Sequence, residues 1–145
     1  ADANLSGNGG NLYIYYLKNN ASSAKPTVTV TIGNLYAAYN YVFLEITNVS
    51  TSAPLDAAGH EEKNTYDTNA PTGSITTSAT TVIISAVSSL YGNLLTCAAG
   101  YTFELYSGGY TQGVCYKTGV ASGTFDVTHT MADPGSSSGI VAAFK

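Results

Sequence analysis

The sequence predicts an all-β fold: a two-sheet antiparallel β-sandwich of jelly-roll type with about nine short strands. Three observations lead there. Short runs alternate apolar and polar residues at a period of two, most cleanly in Thr27-Val-Thr-Val-Thr-Ile32. Gly, Asn and Ser punctuate those runs, as turn residues do. Strong helix formers are scarce, with one Met and no Arg, whereas strand-favouring Thr, Val, Ile and Tyr (12 of the last) abound.

The elements follow in chain order. Residues 11–17 come after the turn Asn8-Gly9-Gly10. Leu12, Ile14 and Tyr16 share one face of this strand and Tyr13, Tyr15 and Leu17 the other, and both faces are apolar or aromatic. Residues 27–32 form the second strand, entered at Pro26, where a missing backbone donor is tolerated. In the third, residues 40–47, Val42, Leu44 and Ile46 face one way and Tyr41, Phe43 and Glu45 the other. Residues 48–71 are polar, hold the charged run His60-Glu61-Glu62-Lys63, and read as a long surface loop. Strands resume at 73–78 and 81–90. Residues 101–106 and 110–118 flank Ser107-Gly108-Gly109, a hairpin signal. Residues 124–130 follow, then a turn at Asp133-Pro134-Gly135 and a final strand at 140–145. No repeat or linker divides residues 1–145, which read as one domain.

Composition narrows the function. Of 145 residues, 44% are hydrophobic, enough for a packed core, and only 10% are charged. Nine acidic residues against five lysines give a net charge of -4, so no basic face is available for nucleic acid. No apolar run is long enough for a transmembrane helix, and no basic amphipathic helix suggests a membrane surface. The start, Ala1-Asp2-Ala3-Asn4, reads as a processed end or the edge of a fragment. Sequons at Asn4, Asn20 and Asn48 are no more than chance supplies in so Asn-, Ser- and Thr-rich a chain, and glycosylation stays open.

Cys97 and Cys115 have seventeen residues between them. A disulfide closing that loop contributes on the order of 3 kcal/mol; the alternative is a pair of buried thiols. No His follows at ligand spacing, so no metal site is expected. Glu45 and Glu104 lie on outward strand faces, which speaks against a glycosidase pair. His60-Glu61-Glu62 lacks the second His of a zinc motif, because position 64 is Asn. A metal shared by His60 and His129 would need the two to meet in space. Asp56, Glu61, Glu62 and Asp67 could hold Ca²⁺, but a solvated acidic loop is the simpler reading. Neither a nucleophile elbow nor a phosphate-binding loop is present. No catalytic residue and no cofactor is expected.

The aromatic residues are the best clue to function. Tyr13, Tyr15, Tyr41 and Phe43 lie opposite the most regular core positions, and Tyr36, Tyr39, Tyr91, Tyr106, Tyr110 and Tyr116 add to them. Tyr suits half-exposed surfaces, so these side chains serve as a second internal apolar layer, a subunit interface or a sugar-stacking platform.

Several stretches resemble β-sandwich modules of secreted bacterial and phage structural proteins. They are Tyr15-Tyr16-Leu17-Lys18-Asn19, Pro26-Thr27-Val28-Thr29-Val30-Thr31, and the run from Glu45 to Asp56 that ends Ala53-Pro54-Leu55-Asp56. Ala99-Gly100-Tyr101-Thr102 and Val141-Ala142-Ala143-Phe144-Lys145 also fit. The resemblance implies a sandwich fold and no assigned catalytic residues. Those modules usually carry one or more strands before the Tyr-Tyr-x-Lys-Asn segment, whereas this chain begins almost at it. A missing strand leaves an edge that a neighbouring subunit could fill by β-augmentation. The expectation is a non-enzymatic, extracellular or virion-borne structural protein that self-assembles into a filament, appendage or coat as a homo-oligomer or polymer. The competing reading is a secreted carbohydrate-binding or adhesion module.

Overall fold

A computed structural model describes residues 3–7, 10–17, 29, 31, 42–89, 95–107 and 111–145. Among them are eight strands and no helix: β1 (Ala3–Gly7), β2 (Gly10–Ile14), β3 (Leu55–Thr77), β4 (Thr81–Ser89), β5 (Leu95–Thr96), β6 (Thr102–Ser107), β7 (Thr111–Val120) and β8 (Gly123–Phe144). All pairing is antiparallel. β1 and β2 form a two-stranded sheet, and the larger sheet runs β3-β8-β4-β7-β6, with β5 on the far half of β8.

The two long strands organise everything else. β3 has 23 residues and β8 has 22. A straight strand of that length would reach about 75 Å, against a radius of gyration of about 15 Å for a compact chain of this size. They therefore bend together. Their ladder slips in register between Lys63 and Asp67 and again between Pro71 and Ser74. Beyond the bend, the second half of β3 and the first half of β8, paired with each other, fold back over the first half of β3 and the second half of β8. A methyl group on Gly139 would lie 2.0 Å from the Pro71 carbonyl oxygen, and one on Gly73 would lie 2.6 Å from the His60 nitrogen. Gly73 also has a φ of +95°, where L side chains are strained. Glycine at these two places lets backbone lie directly on backbone.

The fold-back covers one face of the central strands. There Ile83, Val120, Val141 and Ala143 meet Ile75 and Val127, all buried. The opposite face carries Ile84, Ala142 and Phe144, and is covered by Ile14 and Tyr16 beside β2, by Ile46 and Val49, and by Leu55. Strands buried on both sides lose the polar alternation of half-buried ones. Residues 135–144 of β8 are accordingly buried without interruption, whereas residues 126–131 alternate. Low charge is what makes this possible, since a charged side chain at any of these positions would need a buried partner.

Several expectations change. The presumed loop at 48–71 is mostly the first part of β3. Its charged run pairs with residues 137–140 of β8 as an edge strand, where charge is tolerated because one side faces solvent. Asp133-Pro134-Gly135 does not turn; it passes through the bend of β8 opposite Asp67, so two expected strands are one. Residues 42–47 form no strand, and Leu44 is exposed rather than facing inward with Val42 and Ile46. Of the expected strand at 27–32, all but Thr29 and Thr31 lie outside the described residues, as do Leu90 and Tyr110 at the ends of two others.

A polar latch closes the last strand. Lys145 Nζ donates to Asp56 Oδ1 at 2.6 Å, and the Ser78 hydroxyl and backbone N–H donate to the same carboxylate, each at 2.6 Å. These three donors hold the Asp56 carboxyl well below the usual carboxylate range. At the bend, Lys63 pairs with Asp67, which lowers the Asp67 carboxyl as well.

Candidate functional site

Two regions could carry function, one exposed and one buried. The exposed region begins at β2. Ile14 at its end and Tyr16 just beyond it pack on the central sheet, and Tyr16 meets Phe144 edge to face at 5.5 Å. Alternation then forces Tyr13, Tyr15 and Leu17 outward, where they are 45%, 72% and 75% exposed. The choice between two similar faces, which the sequence left open, is made by the apolar surface of Ile84, Ala142 and Phe144. The Tyr13 and Tyr15 rings stack with centroids 5.8 Å apart. Phe43 is 67% exposed, and Tyr41 lies outside the described residues. Tyr101 and Tyr116 instead pack against core clusters, so the described tyrosines divide between core and surface.

The buried region centres on His129. Thr96 of β5 pairs with Thr130 of β8, which sets Cys97 beside His129. Cys115 comes from β7, opposite Ser85 of β4. Cys97 and Cys115 are joined in a disulfide with Cα atoms 6.0 Å apart, inside the usual range. The bond links the segment after β5 to a central strand. Cys115 and His129 are fully buried, and the surroundings are Ala70, Val87, Leu95 and Met131.

Hydrogen bonds fix the histidine tautomer. The Ala98 N–H donates to Nδ1 at 2.9 Å, so that nitrogen carries a lone pair. The proton is then on Nε2, which donates to the Ser85 hydroxyl at 2.7 Å, and Ser85 in turn donates to the Cys115 carbonyl at 3.3 Å. Burial lowers the pKa of His129 to about 4, so the ring is neutral. Tyr101 packs edge-on against it at 5.8 Å, and burial raises the Tyr101 phenol. The Ser85–His129 pair resembles a nucleophile with its base, but the roles are reversed. A base needs its lone pair on the nitrogen facing Ser, and here that nitrogen holds the proton.

Among the described residues, the ligand atoms of Cys97, Cys115 and His129 all lie within 4.8 Å of one another. No local spacing signals this cluster, because β5, β7 and β8 bring its members together across the fold. His60 is exposed on β3 opposite Ile140, whereas His129 is buried opposite Ala70. Asp56 and Asp67 have lysine partners, while Glu45, Glu61, Glu62 and Glu104 are exposed. A shallow polar groove of about 300 Å³ lies along the bend, lined by Glu61, Lys63, Asn69, Pro71, Asp126 and Thr128.

No family model matches this chain, and neither a curated protein nor a solved structure matches it.

Proposed function

We propose that this protein is a non-enzymatic, extracellular structural subunit that self-assembles into a filament, appendage or coat. The observation that carries the reading is the outward stack of Tyr13 and Tyr15 next to Leu17, three large side chains exposed on one side of the chain as it leaves β2. Surfaces of that kind, poor in charge and rich in Tyr, favour contact with another protein surface. The disulfide is compatible with an oxidising compartment. We read the architecture as a jelly-roll-like two-sheet sandwich of about nine strands. Strand donation is the mode of assembly we favour, since β3 and β6 are sheet edges with no further partner among the described residues.

The test is assembly of the purified full chain, followed by sedimentation velocity and negative-stain microscopy. The wild type should form polymers without added ligand, and the Tyr13→Ser, Tyr15→Ser double variant should remain monomeric with an unchanged circular dichroism spectrum. Monomeric wild type across the micromolar range overturns the proposal.

A second reading, a carbohydrate-binding module, is favoured by the groove along the bend. Its carboxylate, amide and hydroxyl groups suit sugar hydroxyls, and the exposed Tyr66 lies on the same stretch of β3. A glycan array distinguishes the two, because this reading requires sugar binding by a monomer and its loss in Asn69→Ala.

A further inference from the structure

We propose that Cys97, Cys115 and His129 form a thiol-gated metal site: a disulfide when oxidised, and a Cys₂His ligand set for a divalent, thiophilic ion of the zinc type when reduced. The two sulfurs and a ring nitrogen already lie within 4.8 Å of one another, held by three separate elements. Zinc bonds of about 2.3 Å to sulfur and about 2.0–2.1 Å to nitrogen bring such atoms around a single ion. Three protein ligands leave a fourth position for water.

The chemistry of the surroundings selects the ion. Two thiolates beside a neutral imidazole carry two negative charges, and burial among Ala70, Val87, Leu95 and Met131 makes that costly. A divalent cation leaves the site uncharged. Thiolate and imidazole ligands exclude Ca²⁺ and Mg²⁺, which need oxygen. The lone pair of His129 is on Nδ1, and binding there gives up the bond from the Ala98 N–H. The Nε2 proton keeps its partner, Ser85, which is itself anchored on the Cys115 carbonyl. That is the outer support expected of a ligating histidine.

The steps balance. A dithiol reductant gives two electrons and two protons to the Cys97–Cys115 bond, forming two thiols, and is itself oxidised to a disulfide. The ion then displaces the two thiol protons into solvent. Reduced chain would thus hold the segment after β5, β7 and β8 together through the metal; a disulfide oxidant, taking the two electrons, and two protons from solvent, to leave as two thiols, would re-form the Cys97–Cys115 bond and release the ion.

Titration of the full chain with Co²⁺ under argon, after dithiol reduction and removal of the reductant, tests this. One equivalent of Co²⁺ should produce tetrahedral visible bands and a sulfur-to-cobalt charge-transfer band, both abolished by Zn²⁺. Oxidised chain should show neither. His129→Gln should weaken binding at least tenfold. Absence of the bands in reduced wild type, or unchanged affinity in His129→Gln, overturns the proposal. Should that variant fail to fold, zinc-edge X-ray absorption of the reduced wild type decides instead. Two sulfurs with at least one nitrogen support the site, and a shell of sulfur alone or without sulfur refutes it.

Discussion

The two halves of β3 share one strand yet behave as different materials. Residues 58–66 are mostly exposed and carry the chain's densest charge, whereas residues 70–73, 75 and 77 are buried. The first half is an edge beside β8, with its outer side open among the described residues. The second half is folded onto the central sheet and supplies Ala70 and Ile75 to the core. Strand identity therefore does not depend on hydrophobicity along this chain. Pairing with β8 makes both halves strands, and the bend decides which one is buried.

The contrast can be broken most forcefully where the layers touch. Gly139→Val places a branched side chain against the Pro71 carbonyl and should destabilise by more than about 4 kcal/mol, read as loss of soluble folded protein or collapse of the urea midpoint. Removing a buried side chain under the folded half comes next: Ile83→Ala should cost about 3–4 kcal/mol in urea denaturation. Replacing both Cys97 and Cys115 by Ser should cost about 3 kcal/mol by the same measurement, because the closed loop no longer restrains the unfolded chain.

Acid should act on the buried side of the contrast first. The unfolded chain protonates His129 near pH 6.5, whereas the folded chain resists until about pH 4. Between these values the unfolded state binds more protons, so stability falls as pH drops through the window and levels off below it. For the oxidised protein the loss should approach about 3 kcal/mol, and the pH dependence should flatten in His129→Gln. The smallest effect belongs to the exposed half. Glu61→Gln and Glu62→Gln should each shift stability by less than about 0.5 kcal/mol. A larger shift for either in thermal melts would mean that the outer edge of β3 is covered.

The same contrast explains what could be read beforehand. The all-β class was legible because short apolar runs are punctuated by recurring turn residues, and residues 81–89, 102–107 and 111–120 fall close to where periodicity put them. The disulfide followed from two cysteines in a low-charge β chain. The charged first half of β3 was not legible, since His60-Glu61-Glu62-Lys63 looks like loop until its partner strand is known. Asp133-Pro134-Gly135 misleads for a similar reason: a turn tripeptide can also sit at a register slip in a bent strand. His129 gives no local signal either. Its neighbours Cys97, Cys115 and Ser85 are 32, 14 and 44 positions away, and only the folded ladder brings them together.

The position of β8 has a consequence for how the molecule is made. It is the interior strand between β3 and β4, yet it follows both of them in the chain. On the ribosome, the earlier strands must wait with an empty slot between them until residues 123–144 emerge. Most native contacts therefore span long stretches of sequence, which makes folding slow and leaves sticky strands uncovered meanwhile. During that interval the slot does not distinguish the chain's own last strand from the same strand of a sister molecule, so crowded synthesis should produce exchanged dimers that dilute refolding avoids.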